Sequence, residues 1–580
     1  MSTTQESAKT NFEVTNFMGG KSFNLFNPLN RLKLVAYSSF LGEPTYYQPL
    51  SDEDTVSKVK NKKDVINNSE EYLLFPTDVG VSRTETFYLA TMGALDYDFE
   101  GTLNLAIECR TEFLMRRSTA QILAIAASHP TRVSFNDKNP MLFRDILMKC
   151  WILPGDAIAC LDAWKALFGS KAKFPSFIKR AYEQKLRELT PYQQEKYRKD
   201  SISMVRLCHA SKPTIRSNPS LKMLMNDGSL ELDDKDTKWE THRSSGKSWL
   251  QTLDAMEWRM PHMAGLRNIR GFCASNPGVA KVSSYLEMVL SGVKGGKQFP
   301  FRYISAYEQM EKAFNRLENA MPVEDDVFVT AKPFKGKGDR KPPAVVPLEY
   351  KPLVMDYLER CLQASIENYP TLKGDVISLS DNSGSAHGTC TSTYGSRKVS
   401  DIGNLSALFT AYRATGRGAV GVFGDHLRLY EVSKSRPLLE QYREICDLGT
   451  RVGGGTENGV WLFFKRAFEN PSTYTFDHWF CYSDMQVGHG GLYGKDPDIK
   501  DQGFLWKDND TLYIDIHKCV AKYRMEINPR LNTYMVQTAG YDNSILPEST
   551  YRGAILTGWT GNEVVYANKL CDLWDDVESV

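Results

Sequence analysis

Three short stretches, far apart in the chain, carry small oxygen-bearing side chains on tight turns. They are Asp381–Ser385, Gly454–Thr456 and Ser483–Asp484, and the first and last follow strand-like runs at Asp375–Leu379 and His478–Tyr482. A hard divalent cation such as Mg²⁺ prefers oxygen ligands, few of them charged, and keeps coordination positions for water. Side chains delivered from the ends of neighbouring strands would satisfy such an ion. The sequence therefore predicts a divalent-cation site, with Mg²⁺ as the expected ion.

The order Asp-x-Ser-x-Ser, then a distal Thr, then a distal Asp resembles the metal-ion-dependent adhesion site of von Willebrand factor type A domains. The predicted ligands are Asp381, Ser383, Ser385, Thr456 and Asp484. An Asp-x-Ser-x-Ser run also occurs in ordinary loops. The glycines at 453–455 could alternatively form a flexible turn or a weak phosphate loop, although the lysine of a nucleotide-binding loop is missing.

The resemblance implies recognition, because an open coordination position on the metal accepts a carboxylate from a partner. Ala386 stands where the family often has Met, and Ser483 where it often has Thr, but neither position supplies a ligand. Catalysis would need a general base or nucleophile beside the metal, and His387 is the only candidate nearby. We therefore expect no enzymatic activity.

The bulk properties of the chain indicate a multidomain globular protein. At 580 residues the chain is too long for one core, and 42% of it is hydrophobic and 24% charged. It has no run of eighteen apolar residues, and Met1–Glu6 lacks the apolar core of a signal peptide. The eleven cysteines are scattered and never spaced as C-x-x-C. These features predict a cytoplasmic protein with no membrane association.

A local excess of positive charge is hidden by the formal net charge of +1. Thirteen cations oppose four carboxylates between Lys165 and Arg216, which gives this stretch a net charge of +9. Such a field on a nearly neutral protein is typical of a polyanion-binding surface. The alternative is a solvated helical surface without a ligand.

The texture of the sequence changes along the chain. A flexible lead-in is predicted at 1–25, which is polar, and a helical domain at 26–330, where apolar residues recur every three to four positions. A Pro/Gly/Lys-rich linker follows at 331–350, and the pattern of 351–570 alternates strands with helices. A buried helix is predicted at 119–127, ending at His129-Pro130, and Thr190, Pro191 and Gln193 predict a helix start.

The alternation in the last region predicts a parallel, doubly wound sheet with ligands at the carboxyl ends of its strands. The predicted metal ligands fall at those ends. The strand candidates are Val376–Ser380, Ala419–Gly424, Trp479–Ser483, Thr533–Gln537 and Ala554–Thr557, and the helix candidates are Arg436–Leu448 and Tyr513–Arg524.

Several local motifs, taken in order with the type A domain, resemble the Ro autoantigen family, whose helical half is the TROVE module. The resemblance spans roughly residues 28 to 565. The motifs are Thr45-Tyr46-Tyr47, Pro191-Tyr192-Gln193 before Lys196-Tyr197-Arg198, Arg206–His209 before Lys212-Pro213, Met260-Pro261 before Leu266-Arg267-Asn268, and Phe299-Pro300-Phe301.

The resemblance implies an all-α ring of HEAT-like helical repeats, closed by contact with the Rossmann-like type A domain. The ring is expected to be a monomer. Family members bind small noncoding Y RNAs on the basic outer surface and single-stranded 3′ ends of misfolded RNAs in the central hole. In bacterial members of the family, the Y RNA also holds an exoribonuclease on the protein.

Individual RNA-binding residues carry over from the family at two positions. His209 stands where the family has a histidine that contributes to RNA binding, although a helix-end histidine bonded to a carbonyl is the alternative, and Lys196 stands at a basic contact. A second basic position matches Asp200, and Arg198 and Lys199 could replace it. The full predicted surface comprises Lys179, Arg180, Lys196, Arg198, Lys199, Arg206 and His209.

Three functions compete at this point. The first is an RNA-binding ribonucleoprotein that acts in RNA stability and quality control. The second is a metal-dependent adhesion scaffold that grips an acidic protein partner. The third is a hydrolase with Asp381 or Ser383 as nucleophile. This function is disfavoured because the sequence around the motif has no second acidic cluster and no basic phosphate clamp.

Overall fold

The computed structural model groups the chain into two compact units. The first comprises described residues between 24 and 236, and the second those from 237 onward together with part of the N-terminal segment. The predicted boundaries at 25, 330 and 350 stay a prediction. The structure describes residues 11–15, 21–25, 27–38, 83–112, 114–138, 141–208, 218–298, 300–318, 345–387, 389–392, 395–454, 457–483, 485, 505–508, 511–538, 543–546, 551–557, 563–568 and 570–571.

The first unit is built from helices, as the sequence predicts. They are α1 Pro28–Ser38, α2 Arg83–Tyr97, α3 Phe99–Thr111, α4 Arg116–Ser128, α5 Thr131–Lys138, α6 Leu142–Cys150, α7 Pro154–Phe168, α8 Ser176–Glu188, α9 Pro191–Lys196, α10 Arg198–Cys208 and α11 Pro219–Asp227. The buried helix predicted at 119–127 lies within α4, whose apolar run is fully enclosed.

The start of α9 confirms its sequence signature. The Thr190 hydroxyl accepts from the Gln193 amide at 3.2 Å, and the Gln193 side chain accepts from the Thr190 amide at 3.1 Å. This reciprocal pair satisfies two backbone donors that the first helical turn leaves free. It fixes where α9 begins, and therefore which of its residues face solvent.

The second unit begins with helices and continues into the α/β part. The helices are α12 Trp239–Ser244, α13 Trp249–Ala255, α14 His262–Ala274, α15 Val279–Ser291, α16 Val293–Gly296, α17 Phe301–Glu318, α18 Lys351–Ile366, α19 Val399–Tyr412, α20 Leu438–Gly449, α21 Glu457–Glu469 and α22 Ile516–Glu526. Phe272, Tyr285, Leu358 and Phe480 belong to one continuous buried cluster, so helices α14, α15 and α18 share a core with the sheet.

A six-stranded sheet forms the centre of the α/β part. Its order is β13-β11-β8-β3-β6-β7, and only the edge strand β7 runs antiparallel to its neighbour. The strands are β3 Val376–Asp381, β6 Gly418–Phe423, β7 Leu427–Glu431, β8 His478–Ser483, β11 Asn532–Gln537 and β13 Gly553–Thr557. All five predicted strands are confirmed to within one residue at each end. Because β3 and β8 are parallel neighbours, their carboxyl ends meet.

Short strands complete the described structure. They are β1 Asn11–Thr15, β2 Lys21–Leu25, β4 Thr389–Ser392, β5 Gly395–Lys398, β9 Leu505–Asp508, β10 Thr511–Ile514 and β12 Asn543–Ser544. β1, β2 and β12 form a small sheet. Two strands therefore lie within the segment 1–25, where the sequence predicted a flexible lead-in.

Both predicted helices of this part begin later than predicted: α20 starts at Leu438 rather than Arg436, and α22 starts at Ile516 rather than Tyr513. Tyr513 and Ile514 pair with β9, and α22 starts only after Asp515, whose carboxylate accepts from the Lys518 amide at 3.2 Å. The cap and the hairpin together override the helical pattern that begins at Tyr513. In the part of the chain that the structure describes, every helix is too short or too polar to cross a membrane.

Candidate functional sites

The Asp-x-Ser-x-Ser turn follows the central strand β3 directly. Asp381 is only 4% exposed, and its carboxylate accepts from the Ser383 amide at 2.9 Å and from the Ser483 hydroxyl at 2.7 Å. The hydroxyls of Ser383 and Ser385 lie 3.1 Å apart. The structure thus brings three of the five predicted ligands together on one turn, with the end of β8 bonded to it.

The charge of Asp381 is disfavoured by its surroundings. Burial raises the pKa of this carboxyl, and hydrogen bonds from Ser383 and Ser483 oppose the rise. A cation at the turn would favour the charged form and accept the hydroxyl oxygens as further ligands. The donor set consists of oxygens alone, so it fits a hard ion such as Mg²⁺. No cluster of three or more His, Cys, Asp or Glu side chains with metal-ligand geometry exists among the described residues.

Two predicted ligands, Thr456 and Asp484, lie outside the described residues. Two described residues close to them in sequence do reach the turn: the Gly384 amide donates to the Gly454 carbonyl at 2.9 Å, and the Ser483 hydroxyl donates to the Asp381 carboxylate at 2.7 Å. His387 is exposed at the far end of the turn. The residues that precede Thr456 and Asp484 therefore contact the turn of Asp381.

A pair of buried amides that the sequence did not predict holds this turn. Asn382 donates to Asn404 of α19 at 2.8 Å, and Asn404 donates back at 3.0 Å. Gly449 of α20 leaves room for the pair, since a Cβ there would lie 2.1 Å from the Asn382 amide oxygen. An asparagine in the middle of a helix rich in apolar residues was the one available signal.

The predicted cationic residues lie on three consecutive helices. Lys179 and Arg180 are on α8, Lys196 ends α9, and Arg198, Lys199 and Arg206 are on α10. Arg180, Lys199 and Arg206 are exposed, and Lys179, Lys196 and Arg198 are half-buried. Helices α8 and α10 pack against each other. His209 lies outside the described residues.

The carboxylates of this region are already engaged. Glu183 pairs with Arg187 at 3.4 Å, Glu188 with Lys185 at 3.6 Å, and Glu195 with Arg198 at 3.6 Å. Arg198 is therefore partly neutralised within the protein. By contrast, Lys179, Arg180, Lys199 and Arg206 form no ion pair with any other residue that the structure describes.

Lys196 lies between two tyrosine rings. Its ammonium is 5.3 Å from the centroid of Tyr192 and 5.7 Å from that of Tyr197. Cation–π attraction at these distances holds the lysine stem against the rings while leaving its charge available. Tyr192 itself is 38% exposed.

Asp200 is half-buried and lies beside a cation of a distant helix. Its carboxylate lies near Gly155 of α7, where a Cβ would be 3.3 Å from it, beside the Arg116 guanidinium. Burial raises the pKa of Asp200 above its ordinary value, although the charge of Arg116 opposes the rise. The acidic residue at the family's basic position is therefore close to Arg116, and the neighbouring Lys199 is the exposed cation.

An array of helices followed by a parallel sheet, with an oxygen-lined turn after the central strand, defines a helical protein with a type A-like α/β part. The structure is similar to the crystal structure of the Ro (RSR) protein of Deinococcus radiodurans, with a TM-score of 0.53 and 12% identity. The match covers 93% of this chain and 100% of that chain. At this identity the likeness shows the fold, so the chain has a Ro-like fold, as the resemblance implied. No protein-family profile and no curated protein sequence matches the chain. The predicted ring stays a prediction.

Proposed function

We propose that the protein binds RNA on the cationic surface of α8, α9 and α10. The observation that carries this proposal is the set of predicted contact cations without ion-pair partners among the described residues, namely Lys179, Arg180, Lys196, Lys199 and Arg206. Between Lys165 and Arg206, eleven cations oppose four carboxylates, so the stretch has a net charge of +7. Lysine and arginine neutralise phosphates, which supplies most of the sequence-independent affinity for nucleic acids.

The Ro-like fold supports a finer version of this proposal. The ligands are small noncoding Y-like RNAs and the single-stranded 3′ ends of misfolded RNAs, and the role is RNA stability and quality control. An exoribonuclease joins the complex through the RNA. The protein acts in the cytoplasm and as a binding protein without catalytic turnover.

Charge reversal tests the surface directly. Replacing Lys196, Arg198 and Lys199 together by Glu should weaken binding to all RNAs, because the phosphate contacts are shared by every sequence. A matched control reverses three exposed cations of the second unit, Arg428, Lys518 and Arg530, with the same change in net charge. Equal RNA affinity in the two triple variants would contradict the proposed surface.

The oxygen-lined turn supports a second candidate function. We propose that Asp381, Ser383 and Ser385, with Thr456 and Asp484, hold Mg²⁺ and that an acidic protein partner completes its coordination. In this alternative the main interaction of the protein is lost on chelation and is insensitive to nuclease. Purification of the native complex with nuclease or with a chelator separates the two functions, because each treatment should dissociate only one class of partner.

A further inference from the structure

Tyr192 is an exposed aromatic residue in the middle of a cationic surface. It lies in the first turn of α9, is 38% exposed, and its hydroxyl makes no hydrogen bond to a residue that the structure describes. An aromatic ring that packs on a core and bonds through its hydroxyl has a structural role. Tyr192 is not enclosed in a core, and its hydroxyl has no hydrogen-bond partner among the described residues, so a structural role does not explain it.

The surroundings of Tyr192 combine a π-face with positive charge. Lys196, four residues later, lies on the same face of α9, and its ammonium is 5.3 Å from the ring centroid. Lys199 is exposed at the start of the next helix. The lysine restricts the ring from one side, so little side-chain freedom remains to be lost when a ligand stacks on it.

We propose that Tyr192 is a base-stacking residue: an unpaired nucleobase packs on its ring while Lys196 and Lys199 neutralise the adjoining phosphates. This inference rests on the proposed RNA-binding function and specifies the ligand further. Every base has a π-face, so stacking favours single-stranded nucleotides without selecting a sequence. In a duplex the bases are already stacked on each other, and the ring gains nothing. The surface therefore prefers RNA with unpaired nucleotides.

The test measures binding of the full chain to three labelled RNAs with equal numbers of phosphates. The probes are an oligouridylate of about 12 nucleotides, the same strand with abasic residues in its centre, and a blunt duplex. The wild-type protein should bind the oligouridylate most tightly. Tyr192→Leu should weaken that binding by about 5- to 150-fold, the loss expected for one stacked base, and should leave duplex binding unchanged.

Three comparisons make the result specific to stacking. Tyr192→Phe keeps the ring and should bind like the wild type, and Tyr97→Leu makes the same truncation at a 61% exposed tyrosine of the first unit and should have no effect. The abasic strand should bind wild type and Tyr192→Leu equally. Circular dichroism of each variant identifies any loss of helix.

The outcomes separate the two proposals. If the wild-type protein binds none of the three RNAs, the proposed function fails and the stacking inference fails with it. If it binds RNA but does not distinguish oligouridylate from the abasic strand, or if Tyr192→Phe is as weak as Tyr192→Leu, only the stacking inference is overturned. The wild-type comparison decides the matter even if the leucine variant misfolds.

Discussion

The steepness of the salt dependence follows from the cations that the fold leaves available. Lys199 and Arg206 are both exposed on α10 and seven residues apart, so they lie on one face about 10 Å from each other along the helix axis. Neither forms an ion pair with another described residue. Replacing both by Gln removes two phosphate-neutralising charges and keeps the side-chain length nearly unchanged.

The structure sets the expected magnitude. Five predicted contacts have no ion-pair partner among the described residues: Lys179, Arg180, Lys196, Lys199 and Arg206. Each neutralised phosphate contributes about −0.7 to the slope of log K against log salt for single strands, so the wild-type slope should be about −3.5. The double variant should have a slope of about −2.1. Between 50 and 200 mM salt, affinity should fall about 130-fold for the wild type and about 20-fold for the variant.

Fluorescence anisotropy of a labelled oligouridylate, titrated at several KCl concentrations, measures both slopes. The control is a double variant of exposed cations in the second unit, Arg428→Gln with Lys518→Gln, which changes net charge equally. Its slope should equal that of the wild type. A slope shared by the wild type and the Lys199/Arg206 variant would refute the assignment of these cations to phosphates. A wild-type slope near zero would refute the electrostatic surface altogether.

Three further predictions follow from the described contacts. Asp381→Asn should abolish Mn²⁺ binding, measured by electron paramagnetic resonance with the ion as a probe for Mg²⁺, because one of the two predicted charged ligands is lost. Unchanged binding would contradict the metal site. Arg110 is only 7% exposed and lies 2.9 Å from the Asp156 carboxylate. Asp156→Ala would leave this guanidinium buried without its partner, so it should destabilise the first unit by about 3–5 kcal/mol, measured by hydrogen exchange. His262 bonds to Tyr303 at 2.7 Å, and burial lowers the pKa of His262, so the unfolded state binds the proton more tightly than the folded state. The free energy of unfolding should therefore fall as the pH drops through the unfolded pKa of about 6.5. His262→Gln should remove part of that fall, measured by urea titrations at several pH values.

The sheet could be predicted from the sequence because its central strands are buried on both faces. Val376–Asp381 and His478–Ser483 are short apolar runs ended by turn residues, and every residue in both strands is buried. The start of α22 could not be predicted as reliably. Its helical pattern extends back to Tyr513, and only pairing with β9, a contact between separate segments, assigns Tyr513 to a strand.

The candidate metal site shows the same division between local and distant information. Asp381, Ser383 and Ser385 share one turn, so their spacing alone predicted that they lie together. The support of that turn by Asn404 depends on how α19 packs beside β3, and no spacing rule relates residues 382 and 404. Two amides that bond to each other in a buried site leave few polar groups unsatisfied, which is why such a pair can replace apolar packing there.

Counting the cations in the sequence overstates the positive charge that the surface can offer to a ligand, and the contacts in the structure show why. The pair Glu195–Arg198 joins residues three apart on adjoining helices and could have been read from the spacing. The closeness of Asp200 to Arg116 could not, because it depends on a distant helix. Because the carboxylate of Asp200 lies beside Arg116, it repels a phosphate bound at the exposed Lys199 less than an isolated carboxylate would. The electrostatic character of the surface is therefore determined as much by the partners of its acidic residues as by its number of cations.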